Sequence, residues 1–136
     1  MRSTAGIGAA LVTAIATVAG IGLSGPLAAQ AASAPVVYTC GMGPHWGCPA
    51  VRPRTMVFGA HFELAGMSWV RWDSGSAFGH ATVFYPWGYR RDAVTLAFVR
   101  THNGRRYFAQ VKVVSAGHPT KYVHMTGSGL WALGRA

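Results

Sequence analysis

Val94 to Val113 reads VTLAFVRTHNGRRYFAQVKV, and the pair Asn103-Gly104 at its centre decides the fold. Both residues accept positive φ at low steric cost, which a two-residue turn matching the twist of its flanking strands requires. On either side the apolar period is two. Val94, Leu96 and Phe98 point together before the turn; Tyr107, Ala109, Val111 and Val113 do so after it. That spacing puts one face of each strand in a core and sends Gln110 and Lys112 to water.

The same period continues on both sides of the hairpin. Met56, Phe58, Ala60 and Phe62 share a face. Met67 and Trp69 share another, with Val70 and Trp72 opposite them. From Phe78 to Tyr85, Phe78 and Phe84 face one way and Val83 and Tyr85 the other. Val123 and Met125 mark a further strand, and Leu130 to Leu133 a last strand or a tail. Asp73-Ser74-Gly75-Ser76, Pro86-Trp87-Gly88 and His118-Pro119 supply turns between them, and no stretch carries a helical stripe with caps. The expected fold is all-β: a single antiparallel sandwich or small open barrel of six to eight strands.

Upstream of the strands the composition changes. Arg2 is the only charge before Arg52, and Ile7 to Leu23 is weakly apolar. Gly25-Pro26 breaks that run and Ala29-Gln30-Ala31 offers a small-x-small cleavage site. Residues 1–31 therefore read as a secretory signal peptide, the alternative being an uncleaved anchor of the ~20 residues a spanning helix needs. Residues 32–51 form an N-terminal segment and 52–136 the β domain. The expected location is secreted, extracellular or cell-wall associated.

Cys40 and Cys48, the only cysteines, bracket the turn-rich loop Gly41-Met42-Gly43-Pro44-His45-Trp46-Gly47. In an oxidising compartment the pair most simply forms a disulfide. A metal site on Cys40, His45 and Cys48 is the other reading, but a closed zinc site needs four protein ligands and no fourth is evident.

With Arg2 set aside from the +9 of the full chain, nine Arg and two Lys face only Glu63, Asp73 and Asp92, a formal +8. Such a balance bears on partners rather than on fold. It favours an anionic polysaccharide or other polyanion. A generically basic secreted protein is the bland alternative.

Three carboxylates leave little for acid–base chemistry. Ser74, His80 and Asp92 can be assembled into a triad on paper, but no G-x-S-x-G elbow and no H-E-x-x-H is present. His45, His61, His80, His102, His118 and His124 have no ligand spacing of their own, and no cofactor is expected. Trp46, Trp87 and Trp131 fall in expected loops or near the terminus, where exposed rings can stack on sugars or bases. The densest cluster of rings and cations is Trp87, Tyr89, Arg90 and Arg91, which is the candidate ligand-binding site.

Arg52-Pro53-Arg54-Thr55-Met56-Val57-Phe58, Met67-Ser68-Trp69-Val70-Arg71-Trp72, Ala77-Phe78-Gly79-His80-Ala81 and Gly104 to Val113 together resemble a group of small secreted actinobacterial proteins. Those share R-P-x-x, [LM]-x-W-x-x-W and A-x-G-x-[GA] strands. Where members of the group usually carry cysteines, this chain has Gly59-Ala60-His61 and Trp87-Gly88-Tyr89. The resemblance implies secretion and a β fold, and since the group has no established activity it transfers no site. The function expected is that of a secreted, non-catalytic basic β domain that binds an anionic envelope or extracellular polymer, monomeric and with no specific protein partner. A small secreted hydrolase or metal-binding protein, and a structural or inhibitor-like protein, are the alternatives.

Overall fold

The structure, a computed structural model, describes residues 33–41, 43–59 and 62–136. The expected signal peptide, together with Met42, Ala60 and His61, lies outside the described residues. Residues 32–136 form one compact unit. Among the described residues are nine strands and no helix: β1 (Val37–Tyr38), β2 (Pro49–Ala50), β3 (Met56–Gly59), β4 (Phe62–Trp72), β5 (Ala77–Tyr85), β6 (Gly88–His102), β7 (Arg105–Val114), β8 (Lys121–Met125) and β9 (Trp131–Leu133).

Strands β3 to β9 pair with their sequence neighbours in one antiparallel meander of seven, nearly closed into a barrel. Of the two architectures expected, the open barrel is the one formed. The turn that decided the fold behaves as its chemistry requires. His102 pairs with Arg105, and Asn103 and Gly104 between them take φ of 47° and 74°. Val83, Val94, Leu96, Val111, Val113, Val123 and Met125 fill the interior, none more than 1% exposed.

The N-terminal segment bridges β7 and the edge strand β3. Val36 takes a hydrogen bond from Phe108 N and gives one to Arg106 O, alongside β7 beyond the point where β8 leaves it. A few residues on, Thr39 O accepts from Val57 N and Gly41 N donates to Val57 O, alongside β3. The run 36–41 thus reaches from β7 to the edge strand β3. Gly41 lies so close to β3 that a Cβ there would collide with the Val57 carbonyl. β1 and β2 form a small hairpin of their own, and the expected Cys40–Cys48 disulfide is present at its end.

Three indole N–H groups hold this region. Trp72 Nε1 donates to Pro35 O at 3.1 Å, Trp131 Nε1 to Tyr38 O at 2.7 Å, and Trp69 Nε1 to Pro53 O at 2.8 Å. Burying a tryptophan requires a partner for its N–H. Here that requirement ties the segment to the barrel wall.

The simple period misplaces three side chains. Trp72 is on the core side with Met67 and Trp69 rather than opposite them. β4 carries two register shifts against β5, between Ala65 and Ser68 and between Trp69 and Arg71. An extra residue in one strand resets the alternation, so Val70 is expelled and Trp72 turns in. Phe98 does not join Val94 and Leu96. Its φ of 54° turns it out to 58% exposure, and Val99 packs on the core instead. Gln110 is buried rather than wet: its Oε1 accepts from Ala136 N, because the C-terminal tail folds back over that strand.

Candidate functional site

In an up-and-down meander the turns alternate between two ends. The turns at Asp73–Ser76, Asn103-Gly104 and Thr126–Leu130 share one end with the N-terminal segment, here called the capped end. Pro86-Trp87 and Ser115–Thr120 lie at the opposite end.

The four sequence-selected residues lie at that opposite end, and strand alternation divides them. Tyr89 and Arg91 face outwards: Tyr89 is 75% exposed with its ring 6.2 Å from that of Phe84. Arg91 spends its guanidinium on Ser68 Oγ at 2.6 Å and Gly66 O at 3.2 Å. Arg90 shares the face of Asp92, donating to Ala116 O at 2.8 Å with its Nε 3.8 Å from Asp92 Oδ1. Trp87 leans over the end of the barrel, its ring stacked on Tyr85 at 5.1 Å and 6.3 Å from His118.

Beneath them is a buried polar cluster. Asp92 is 3% exposed, and its Oδ2 accepts from both Tyr85 Oη, at 2.9 Å, and Ser115 Oγ. The two hydroxyls also lie 2.8 Å from one another, so two protons are shared among three short contacts. Burial pushes the Tyr85 phenol above its ordinary pKa, and the neighbouring Asp92 charge pushes it the same way against the lowering effect of Ser115. Lys121 Nζ lies 4.4 Å from the Tyr85 ring centroid and 5.2 Å from that of Phe62.

Charge is distributed unevenly. Among the described residues there are two ion pairs, Arg71–Asp73 and Arg90–Asp92, so nine of the eleven Lys and Arg beyond the signal segment have no carboxylate within 4.0 Å. Arg100, Arg105 and Arg106 crowd the tip of the β6–β7 hairpin at the capped end, where Arg106 donates to Ser74 O at 2.6 Å. Beside them Trp46 stacks on His102 at 3.6 Å, nearly parallel. Tyr38, Trp46, His102, Asn103 and Arg105 line a hollow of about 250 Å³. Gly129 lies against the Trp46 ring, 2.5 Å from where its Cβ would be, so no larger residue fits there.

The other sequence candidates are dispersed. Ser74 is in a capped-end turn, His80 is on the outer face of β5, and Asp92 is inside at the opposite end, so the three do not converge. His45 Nδ1 donates to Ser128 O at 2.6 Å and His124 Nδ1 to Gly134 O at 3.1 Å. No group of three potential metal ligands exists among the described residues, and the disulfide occupies both thiols. Trp131 is buried and Trp46 packs on the core, which leaves Trp87 the most exposed of the three rings expected in loops. Sequence reasoning missed the pairing of Trp46 and His102 with Arg105 because 46 and 102 meet only through the N-terminal segment. Comparison with family models, curated proteins and solved structures gives no match.

Proposed function

We propose that this chain is an exported, non-catalytic β-barrel module that binds an anionic polymer, through the arginine-rich tip of β6–β7 and the ring-lined hollow beside it. The observation that carries the reading is the set of nine cations without a carboxylate partner, three of them on one hairpin tip. Uncompensated like charges repel within the folded state; a polyanion relieves that repulsion. The Trp46–His102 stack next to Arg105 adds a planar surface on which a sugar ring can rest. Export is supported by the disulfide and by the signal-like residues 1–31. The resemblance to small secreted actinobacterial proteins points the same way.

The hairpin tip is favoured over the Trp87, Tyr89, Arg90 and Arg91 cluster because both arginines of that cluster are held by protein acceptors. Arg100 and Arg105 make no side-chain hydrogen bond among the described residues and are free to turn to a ligand. Dextran sulfate and uncharged dextran serve as probes. The wild-type protein binds the sulfated polymer alone, more weakly as salt rises, and Arg100→Ala/Arg105→Ala lowers both affinity and salt dependence at unchanged melting temperature. Equal binding to both polymers, or a double variant that binds as wild type does, removes this reading. N-terminal sequencing of protein from the culture medium is expected to begin at Ala32.

A further inference from the structure

The N-terminal segment bridges β7 and β3 at the capped end. Beyond it, a groove of about 490 Å³ lies between β3 and the β8–β9 hairpin. Its walls are Phe58, Phe62, Tyr122, Val123, Trp131 and Leu133; Phe58, Val123 and Trp131 are buried at its base and Leu133 is exposed at its rim. Among the described residues lining it, Lys121 is the one that carries a charge. The Phe62 and Tyr85 rings hold its ammonium in place, and no carboxylate among the described residues lies within 4.0 Å of it.

We propose that this groove binds a single-chain anionic amphiphile, with the acyl chain along the apolar wall and the carboxylate on Lys121. The volume lies in the range of small-molecule sites, ~300–1,000 Å³, and suits one chain rather than a two-chain lipid. A cation held by rings and not neutralised by the protein selects an anionic head group. The bordering strands are too short to recruit another chain by strand addition: β3 offers four residues and β9 three. An alkyl chain needs no hydrogen bonds from them. This inference is independent of polymer binding at the capped end.

The test uses displacement of dansyl-undecanoate by palmitate, with hexadecanol as the neutral counterpart. Palmitate is expected to displace the dye at one site per chain and to bind better than hexadecanol. Lys121→Gln is expected to weaken palmitate about tenfold while leaving hexadecanol unchanged. Leu133→Glu, which places a negative charge on an exposed rim position, weakens palmitate as well, so the proposal stands or falls on this variant if the other misfolds by circular dichroism. Failure of palmitate to displace the dye overturns the proposal. So does equal binding of palmitate and hexadecanol, or palmitate affinity untouched in a folded variant. A dimer in sedimentation velocity that saturating palmitate does not dissociate assigns the groove to a second copy and overturns it too.

Discussion

Asp92 accepts from two hydroxyls and faces one guanidinium while almost wholly removed from water. Asparagine has the same shape but no charge: with its oxygen on the two hydroxyls, its N–H₂ faces the Arg90 guanidinium and is left without an acceptor. Asp92→Asn is therefore expected to lower unfolding free energy by about 1–3 kcal/mol, the range for orphaning a buried polar group. Urea denaturation measures it. Tyr85→Phe removes one donor and leaves Ser115 and Arg90 on the carboxylate, so its cost is expected at the lower end, about 1 kcal/mol. If the two substitutions cost the same, Asp92 is not the centre of the cluster. Trp131→Phe tests a different residue-scale tie: the ring area is largely kept while the N–H to Tyr38 O is lost.

The N-terminal segment bridges β7 and β3, and the disulfide limits how far it can move. Breaking the bridge in a Cys40→Ser/Cys48→Ser variant is expected to cost roughly 2–3 kcal/mol. Amide exchange locates the loss: Val57 and Phe108, which donate to Thr39 O and Val36 O, should lose protection before interior amides such as Val94 do. Uniform loss across all three would mean that the segment unfolds only with the whole barrel. At this scale the legibility of the sequence is sharply divided. Strand identity, the Asn103-Gly104 hairpin and the disulfide all follow from local chemistry. The bulges of β4 do not follow from the period, although Gly66 within an otherwise apolar run, φ 54°, was a local sign of one. The bridging of 36–41 to β7 and β3 has no local sign, because pairing between distant segments leaves no period in either. For the same reason the Trp87, Tyr89, Arg90 and Arg91 cluster was visible as a run, while its division between two faces and the Trp46–His102–Arg105 grouping were not.

For the whole molecule, the alkaline limb of stability follows from two phenols. Burial raises both Tyr85 and Tyr107, the latter against the opposing influence of Arg100. The fold favours the protonated phenol, so this contribution is complete below the ordinary tyrosine value of about 10 and is lost as pH rises through the raised values. Absorbance at 295 nm should show the Tyr85 and Tyr107 phenols ionising above the ordinary value of about 10, and urea midpoints should fall in step with them as pH rises. Midpoints that hold steady while the late phenols ionise would rule out the linkage. The meander also sets an order in time. Every neighbouring pair from β3 to β9 is joined by a short connection and can zip locally, whereas Val36 must wait for Tyr107, seventy-one positions downstream. Synthesis runs from the amino end, so the stretch made before the barrel is the last to find its place in it. Until β7 exists, the loop tied by Cys40 and Cys48 is a preassembled latch with nothing to engage.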